Sequence, residues 1–117
     1  MITAETRSLL ATYLESIILS GQVGLGGNNT SPASTTLDVP ITGITVSKSV
    51  DKTQENVIQV KLEILGNAIT GKVIREVGLF NHLTPASGLL LQRFNFNGVG
   101  PFSSTERLQI YITMEIE

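Results

Sequence analysis

The side chains that could carry out chemistry are few in this sequence and stand apart from one another. The chain has one histidine, His82, ten acidic residues and no cysteine. A zinc site needs several histidine or cysteine ligands, and a serine nucleophile needs a base within hydrogen-bond reach. We therefore expect His82 to be a surface histidine in a loop. The sequence predicts no catalytic residue, no metal site and no cofactor.

The acidic residues were the other candidates for a reactive site. Glu115 and Glu117 alternate at the end of the last predicted strand, so their side chains share one face. A glycosidase pair or a calcium site is one interpretation of that spacing, but a solvated strand face is the favoured one. Asp38 and Asp51 stand alone. This pattern argues against an enzyme.

Residues 73–81 are the most unusual stretch of the chain. They form a near-continuous apolar run that is typical of a buried strand, but the run contains Arg75 and Glu76, followed by Gly78. Side chains of neighbouring strand residues point to opposite faces, so these two charges cannot pair with each other. We expect Gly78 to mark a bulge or a close approach of the backbone.

A turn at residues 84–88 would make a hairpin and bring Arg93 within reach of one of these charges. We expect either a Glu76–Arg93 ion pair or a Glu76 carboxylate that accepts backbone N–H bonds at a bulge beside Gly78. A buried carboxylate needs such partners, because leaving it unpaired costs roughly several kcal/mol. The functional interpretation is that one charge faces a neighbouring subunit and fixes the register of an assembly.

One helix is predicted, over residues 3–19. Thr3 is suited to be the N-cap, Glu5 lies in the first turn, and Gly21 follows as a C-terminal cap. An apolar stripe runs along this helix and consists of Leu9, Leu10, Tyr13, Leu14, Ile17 and Ile18. The stripe is expected to cover one face of a sheet, and packing against symmetry-related copies is the alternative.

The rest of the chain has the alternation of β-strands, interrupted by turns. Residues 58–64 and 107–117 alternate most regularly, which is typical of half-buried antiparallel strands. The other expected segments are a short strand at 22–26, a polar loop at 27–36, a strand-like stretch from Leu37 to Val46 with Pro40 at its start or edge, a polar connection at 48–56, and a strand at 89–96. The prediction is a mainly β (α+β) antiparallel sandwich of five to six strands with one N-terminal amphipathic helix. Residues 1–117 form a single domain, with the β region at 22–117.

The composition constrains the partners. The formal net charge is −2, which gives no electrostatic case for binding nucleic acid or an anionic membrane. No segment has the ~20 apolar residues of a membrane span. Charged residues make up 15% of the chain and hydrophobic residues 41%, so we expect part of the surface to be buried against other copies or a partner.

Two motifs resemble a family of small structural proteins from tailed-bacteriophage virions. The first is Ile74-Arg75-Glu76-Val77-Gly78-Leu79-Phe80-Asn81. The second is Gly88-Leu89-Leu90-Leu91-Gln92-Arg93-Phe94-Asn95-Phe96. The family is also similar in its opening amphipathic helix, its Val23-Gly24-Leu25-Gly26 element and a polar loop that ends at Leu37. Where relatives often follow that leucine with Glu and Arg, this chain has Asp38-Val39-Pro40-Ile41, so details of that region do not carry over.

The resemblance implies a non-enzymatic virion protein of the tail-fibre, collar or baseplate-associated type, assembled in the host cytoplasm. It also implies a homo-oligomer, with a trimer favoured, that contacts other phage virion proteins. We assign structural or assembly roles to Arg75, Glu76, Gly78, Phe80 and Arg93. A capsid decoration protein on the head lattice is the alternative function. A carbohydrate-binding β-sandwich is a third, disfavoured by the presence of two Tyr and no Trp.

Overall fold

The computed structural model describes residues 2–27 and 35–117, which form one N-terminal helix and two three-stranded antiparallel sheets. This confirms the predicted mainly β sandwich. The helix is α1 (Ala4–Ile17), and the strands are β1 (Ser20–Gly24), β2 (Ser47–Gln54), β3 (Val57–Leu65), β4 (Ile74–Phe80), β5 (Leu90–Val99) and β6 (Arg107–Glu115). The first sheet has the order β1-β4-β5, and the second has the order β2-β3-β6.

The core lies between the two sheets and follows from the alternation in the sequence. In β3 the buried residues are Ile58, Val60, Leu62 and Ile64, and each is separated from the next by a polar residue. Because the period of a strand is two, all four side chains point to the same face. β4 and β6 contribute further apolar side chains, so the strands predicted at 58–64 and 107–117 are both confirmed.

The polar segment at 48–56 is a strand rather than the expected connection. β2 pairs with β3 along its length, and only the two residues Glu55 and Asn56 form the turn between them. β2 is an edge strand, and its only apolar residue, Val50, is half-buried. Charged edge strands are common because they discourage pairing with other chains. Apolar alternation therefore could not reveal this strand.

The strand-like stretch from Leu37 to Val46 is mostly irregular, so that expectation was wrong. Its one ladder contact is an isolated bridge between Gly24 and Pro40. Leu37 and Ile41 are nevertheless buried. The apolar spacing therefore identified buried side chains, but these belong to an irregular segment and not to a strand. Most of the loop expected at 27–36 lies outside the described residues.

The helix begins as predicted and ends earlier. Thr3 is the N-cap, and its Oγ1 accepts the backbone N–H of Thr6 at 3.2 Å. The C-cap is Ile18 rather than Gly21, because the chain turns directly into β1 and the Leu19 N–H donates to the Phe80 carbonyl at 3.0 Å. Within residues 2–27 and 35–117, no helix has the length and apolar character needed to cross a membrane.

The apolar stripe of α1 covers the core only in part: Leu14 and Ile18 pack against it as expected, whereas Leu9, Leu10 and Tyr13 do not. The helix faces the molecule with Ala11 and Ile18, which are both buried. On the same side, the Lys52 ammonium of β2 donates to Ser8 Oγ at 2.7 Å. Because Lys52 is bonded to the polar side of the helix, Leu9, Leu10 and Tyr13 of the stripe point outward.

Candidate functional site

A buried carboxylate on β4 is the most specific polar feature of the described chain. The Glu76 side chain is fully buried. Its oxygens accept three backbone N–H groups, from Gly26 at 2.9 Å, Asp38 at 2.7 Å and Val39 at 2.8 Å. All three donors belong to the segment that connects β1 to β2. Glu76 therefore holds that segment against the outer face of the first sheet.

Arg93 on β5 completes the charge arrangement, as the predicted hairpin requires. Its guanidinium Nη2 lies 2.9 Å from Asp38 Oδ2 and 3.5 Å from Glu76 Oε1. Nη1 of Arg93 donates to the Thr36 carbonyl at 3.3 Å, and Asp38 Oδ2 also accepts the Gly27 N–H at 3.2 Å. One cation therefore bridges two carboxylates. The backbone donors add the stabilisation that a single cation cannot give to both.

Two glycines allow the connecting segment to approach this carboxylate closely. Gly24 is directly opposite Glu76 in the β1–β4 register. A Cβ atom on Gly24 would lie against the Glu76 carboxylate and 2.6 Å from the Val39 carbonyl oxygen. A Cβ atom on Gly26 would lie 2.5 Å from the Asp38 Cβ and 2.8 Å from Glu76 Oε2. The two glycines of the Val-Gly-Leu-Gly element therefore leave the space that the Glu76 carboxylate occupies.

Gly78 marks a close approach, which is one of the two roles expected for it. A Cβ atom at Gly78 would lie 2.9 Å from Leu90 Cδ1, 3.0 Å from Leu37 Cδ2 and 3.3 Å from Phe80 Cε1. Leu37 and Phe80 are both buried. This apolar cluster on the outer face gives the connecting segment a second anchor beside the polar one.

The backbone donors to Glu76 do not come from a bulge beside Gly78, which corrects that part of the prediction. Register shifts between β4 and β5 occur between Ile74 and Glu76 and between Leu79 and Phe80. The donors instead come from residues 37 to 50 positions away in sequence. No local pattern around Gly78 could have indicated them.

Arg75 behaves differently from its neighbour. It is exposed, and within the described chain it takes part in no ion pair. Its side chain lies beside Gly98, where a Cβ atom would be 3.7 Å from Arg75 Nε. Of the two adjacent charges, Glu76 has internal partners and Arg75 is accessible. A contact between Arg75 and a neighbouring subunit stays a prediction.

The residues considered for catalysis are on the surface. His82 is exposed, and its Nδ1 accepts the Thr84 N–H at 2.9 Å within the turn. Glu115, Glu117 and Asp51 are also exposed. Across residues 2–27 and 35–117, no group of three or more His, Asp and Glu side chains is placed to hold a metal ion.

A second polar cluster, on the outer face of the other sheet, was not anticipated from the sequence. Glu63 accepts a hydrogen bond from Gln109 Nε2 at 3.0 Å and lies 3.3 Å from Arg107 and 3.6 Å from Lys61. The Gln109 hydrogen bond, followed by the charges of Arg107 and Lys61, lowers the pKa of Glu63 from its usual 4.5. The alternation places Glu63 and Gln109 on the polar faces of their strands, but it is the β3–β6 register that pairs these two residues.

Comparison of the chain with protein-family models and with curated proteins finds no match to either. The arrangement around Glu76 is thus interpreted on its own geometry. A carboxylate with no exposed surface cannot reach a substrate in this conformation. Its chemistry is to fix the conformation of a long connecting segment on a rigid sheet.

Proposed function

We propose that this chain is a non-enzymatic structural protein of a tailed-bacteriophage virion and that it works through protein–protein contacts. The favoured role is an attachment module of the tail fibre, collar or baseplate. In this proposal the chain assembles in the host cytoplasm as a homo-oligomer, with a trimer favoured, and binds other virion proteins. Capsid decoration is the second candidate, and a carbohydrate-binding sandwich is the third.

The observation that carries the proposal is that separate parts of the family resemblance meet at one place. Gly24 and Gly26 of the first element and Arg93 of the second motif lie beside the Glu76 carboxylate of the central motif. Leu37, at the end of the polar loop, lies beside Gly78 of the same central motif. Motifs that merely look alike by chance have no reason to converge in space. Their convergence supports a structural relationship between this chain and the phage family.

The surface of the chain supports action through protein contacts. Only 15% of the residues are charged, well below the usual quarter of a soluble domain. Large apolar side chains are exposed side by side on α1, namely Leu9, Leu10 and Tyr13. Exposed apolar residues on a compact sandwich are typical of protein-binding surfaces when they lie together.

Immunogold labelling of the phage particle tests the proposal. Antibodies raised against the purified chain are applied to intact particles purified from the host that carries the gene. Label at the fibre attachment region, collar or baseplate is the expected result, and label on the head lattice would favour decoration instead. Particles that contain none of the chain, by labelling and by mass spectrometry, would overturn the virion role altogether.

A glycan array separates the third candidate from the first two. We expect no specific glycan binding. Selective binding to one glycan class would favour the carbohydrate-binding interpretation. Tyr13 on α1 and Tyr111 on β6 are the two exposed tyrosines available for stacking on a sugar.

A further inference from the structure

The outward face of α1 carries apolar side chains that nothing in the described chain covers. Leu9 is 70% exposed, Tyr13 62% and Leu10 41%. They belong to the stripe that the sequence arranges on one side of the helix. In most surface helices of globular proteins such a stripe faces the core. Here only Leu14 and Ile18 pack against the core, and Leu9, Leu10 and Tyr13 face solvent.

The orientation of the helix is fixed by contacts on its other side. Lys52 Nζ donates to Ser8 Oγ at 2.7 Å and lies 3.2 Å from Thr12 Oγ1, so one cation is bonded to two successive turns. Ala11 is fully buried where the helix meets the sheet. Turning Leu9 and Tyr13 inward would break these hydrogen bonds and would replace buried Ala11 with bulky side chains where the helix meets the sheet.

The spacing of the outward residues matches the seam of a helix pair. Thr6, Leu10, Tyr13 and Ile17 are separated by four, three and four positions, which is the alternation of a coiled-coil core, and Leu9 lies beside them. A seam of this kind is complementary to a second helix with the same seam. The partner that fits best is therefore α1 of another copy of this chain.

The exposed area agrees with an interface between copies. With about 200 Å² for a large apolar side chain, the exposed parts of Leu9, Leu10 and Tyr13 amount to roughly 350 Å². A standard interface buries about 800 Å² per partner, of which about 60% is apolar. These three residues alone would supply most of that apolar area, and Ile2, which is also exposed, lies at the edge of the same helix.

We propose that α1 is the self-association surface of the chain and that copies pack along the seam formed by Thr6, Leu10, Tyr13 and Ile17, with Leu9 beside it. The inference rests on the proposed function only in taking protein–protein contact as the role of the chain. Self-association is measured on the isolated protein, without the virion. A chain found in the virion but monomeric in solution would overturn this inference and the homo-oligomer part of the proposed function, and would leave the virion role standing.

Sedimentation velocity and native mass spectrometry at micromolar concentration test the proposal. The wild-type chain is expected to be an oligomer. Leu9→Glu and Tyr13→Glu should each weaken association at least about tenfold, since central apolar contacts dominate interface energies. Leu83→Glu is the matched control, because Leu83 is 78% exposed but lies in the β4–β5 turn, and this variant should associate like wild type. A monomeric wild-type chain, or a Leu9→Glu variant that associates normally, would overturn the proposal.

Cross-linking gives an independent readout that does not depend on weakening the interface. The chain has no cysteine, so Tyr13→Cys introduces a single thiol at the seam. Mild oxidation should join copies through that thiol, whereas Leu83→Cys at the same dilute concentration should stay largely unlinked. Equal cross-linking of the two variants would contradict a specific α1 contact.

Discussion

Gly24 and Glu76 lie directly opposite each other in the β1–β4 ladder, and the missing side chain of one makes room for the carboxylate of the other. Because Gly24 has no Cβ, the chain can pass close to Glu76 and present the N–H groups of Gly26, Asp38 and Val39 to its oxygens. A charged group with no exposed surface is thereby provided with hydrogen bonds. The pair explains why an acid lies in the mostly apolar strand β4 and why a glycine lies opposite it in β1.

Removing the carboxylate should destabilise the fold strongly. Glu76→Ala leaves three N–H groups without their acceptor and removes one of the two carboxylates beside the Arg93 guanidinium. Breaking a buried pair in this way costs about 3–5 kcal/mol. At about 4 °C per kcal/mol for a domain of this size, the melting temperature should fall by about 10–20 °C.

His82→Ala is the control for that measurement. His82 is exposed and makes one turn hydrogen bond, so its loss should change stability by no more than about 1 kcal/mol. Equal and small changes in the melting temperature of the two variants would mean that the Glu76 carboxylate does not support the fold.

The glycine opposite Glu76 should be intolerant of a side chain. Gly24→Ala places a methyl group against the carboxylate and the Val39 carbonyl, so we expect a loss of about 2 kcal/mol or more by denaturant titration. Gly71→Asn is the matched control. Gly71 has a positive φ of 74° but no atom within 4 Å of a Cβ position, and asparagine tolerates that backbone conformation. A Gly24→Ala variant as stable as the control would contradict the close approach.

Glu76 and Arg93 should be energetically coupled. Arg93→Met removes the cation beside both Asp38 and Glu76, and Glu76→Gln removes one of the charges it neutralises. In a double-mutant cycle the free energies of unfolding should depart from additivity by about 1 kcal/mol or more. The cycle formed by Arg93→Met with Lys61→Met serves as control, since Lys61 lies on the other sheet. Strict additivity in the first cycle would mean that Glu76 and Arg93 do not stabilise each other.

Glu63 should give a small, acid-side contribution to stability. Its folded pKa is lowered by the Gln109 hydrogen bond and by Arg107 and Lys61. A lowered pKa stabilises the folded state at pH values above the unfolded value, and the contribution is lost as the pH falls from about 4.5 through the folded pKa.

Carbon-detected NMR titration of the Glu63 carboxyl measures that shift. The wild-type pKa should lie below 4.5, and Gln109→Ala should move it back toward 4.5. Thr113→Ala, on the same face of β6, should leave it unchanged. A wild-type value at or above 4.5 would contradict the assigned contacts.

The sequence was informative where structure depends on near neighbours. The alternation in β3 and β6, the Thr3 cap and the β4–β5 hairpin that carries Arg93 to Glu76 were all predicted from local patterns. The edge strand β2 was missed because its outward side chains are polar and its pairing is its main support.

The other misses depend on contacts between distant residues. The donors to Glu76 lie 37 to 50 positions away, and no periodicity relates them to it. The outward direction of Leu9 and Tyr13 was missed for a similar reason, because Lys52 binds the polar side of the helix from 40 or more positions away. Periodicity identifies a face of an element but not what that face contacts.

Amide hydrogen exchange by NMR tests most directly the claim that Glu76 fixes the segment between β1 and β2. In the wild-type chain the N–H groups of Gly26, Asp38 and Val39 should exchange slowly, because they donate to a buried carboxylate. In Glu76→Gln these three should exchange faster by about tenfold or more, while amides in the middle of β3 keep their relative protection. Rapid exchange of the three amides in the wild-type chain, or identical rates in both proteins, would contradict the account.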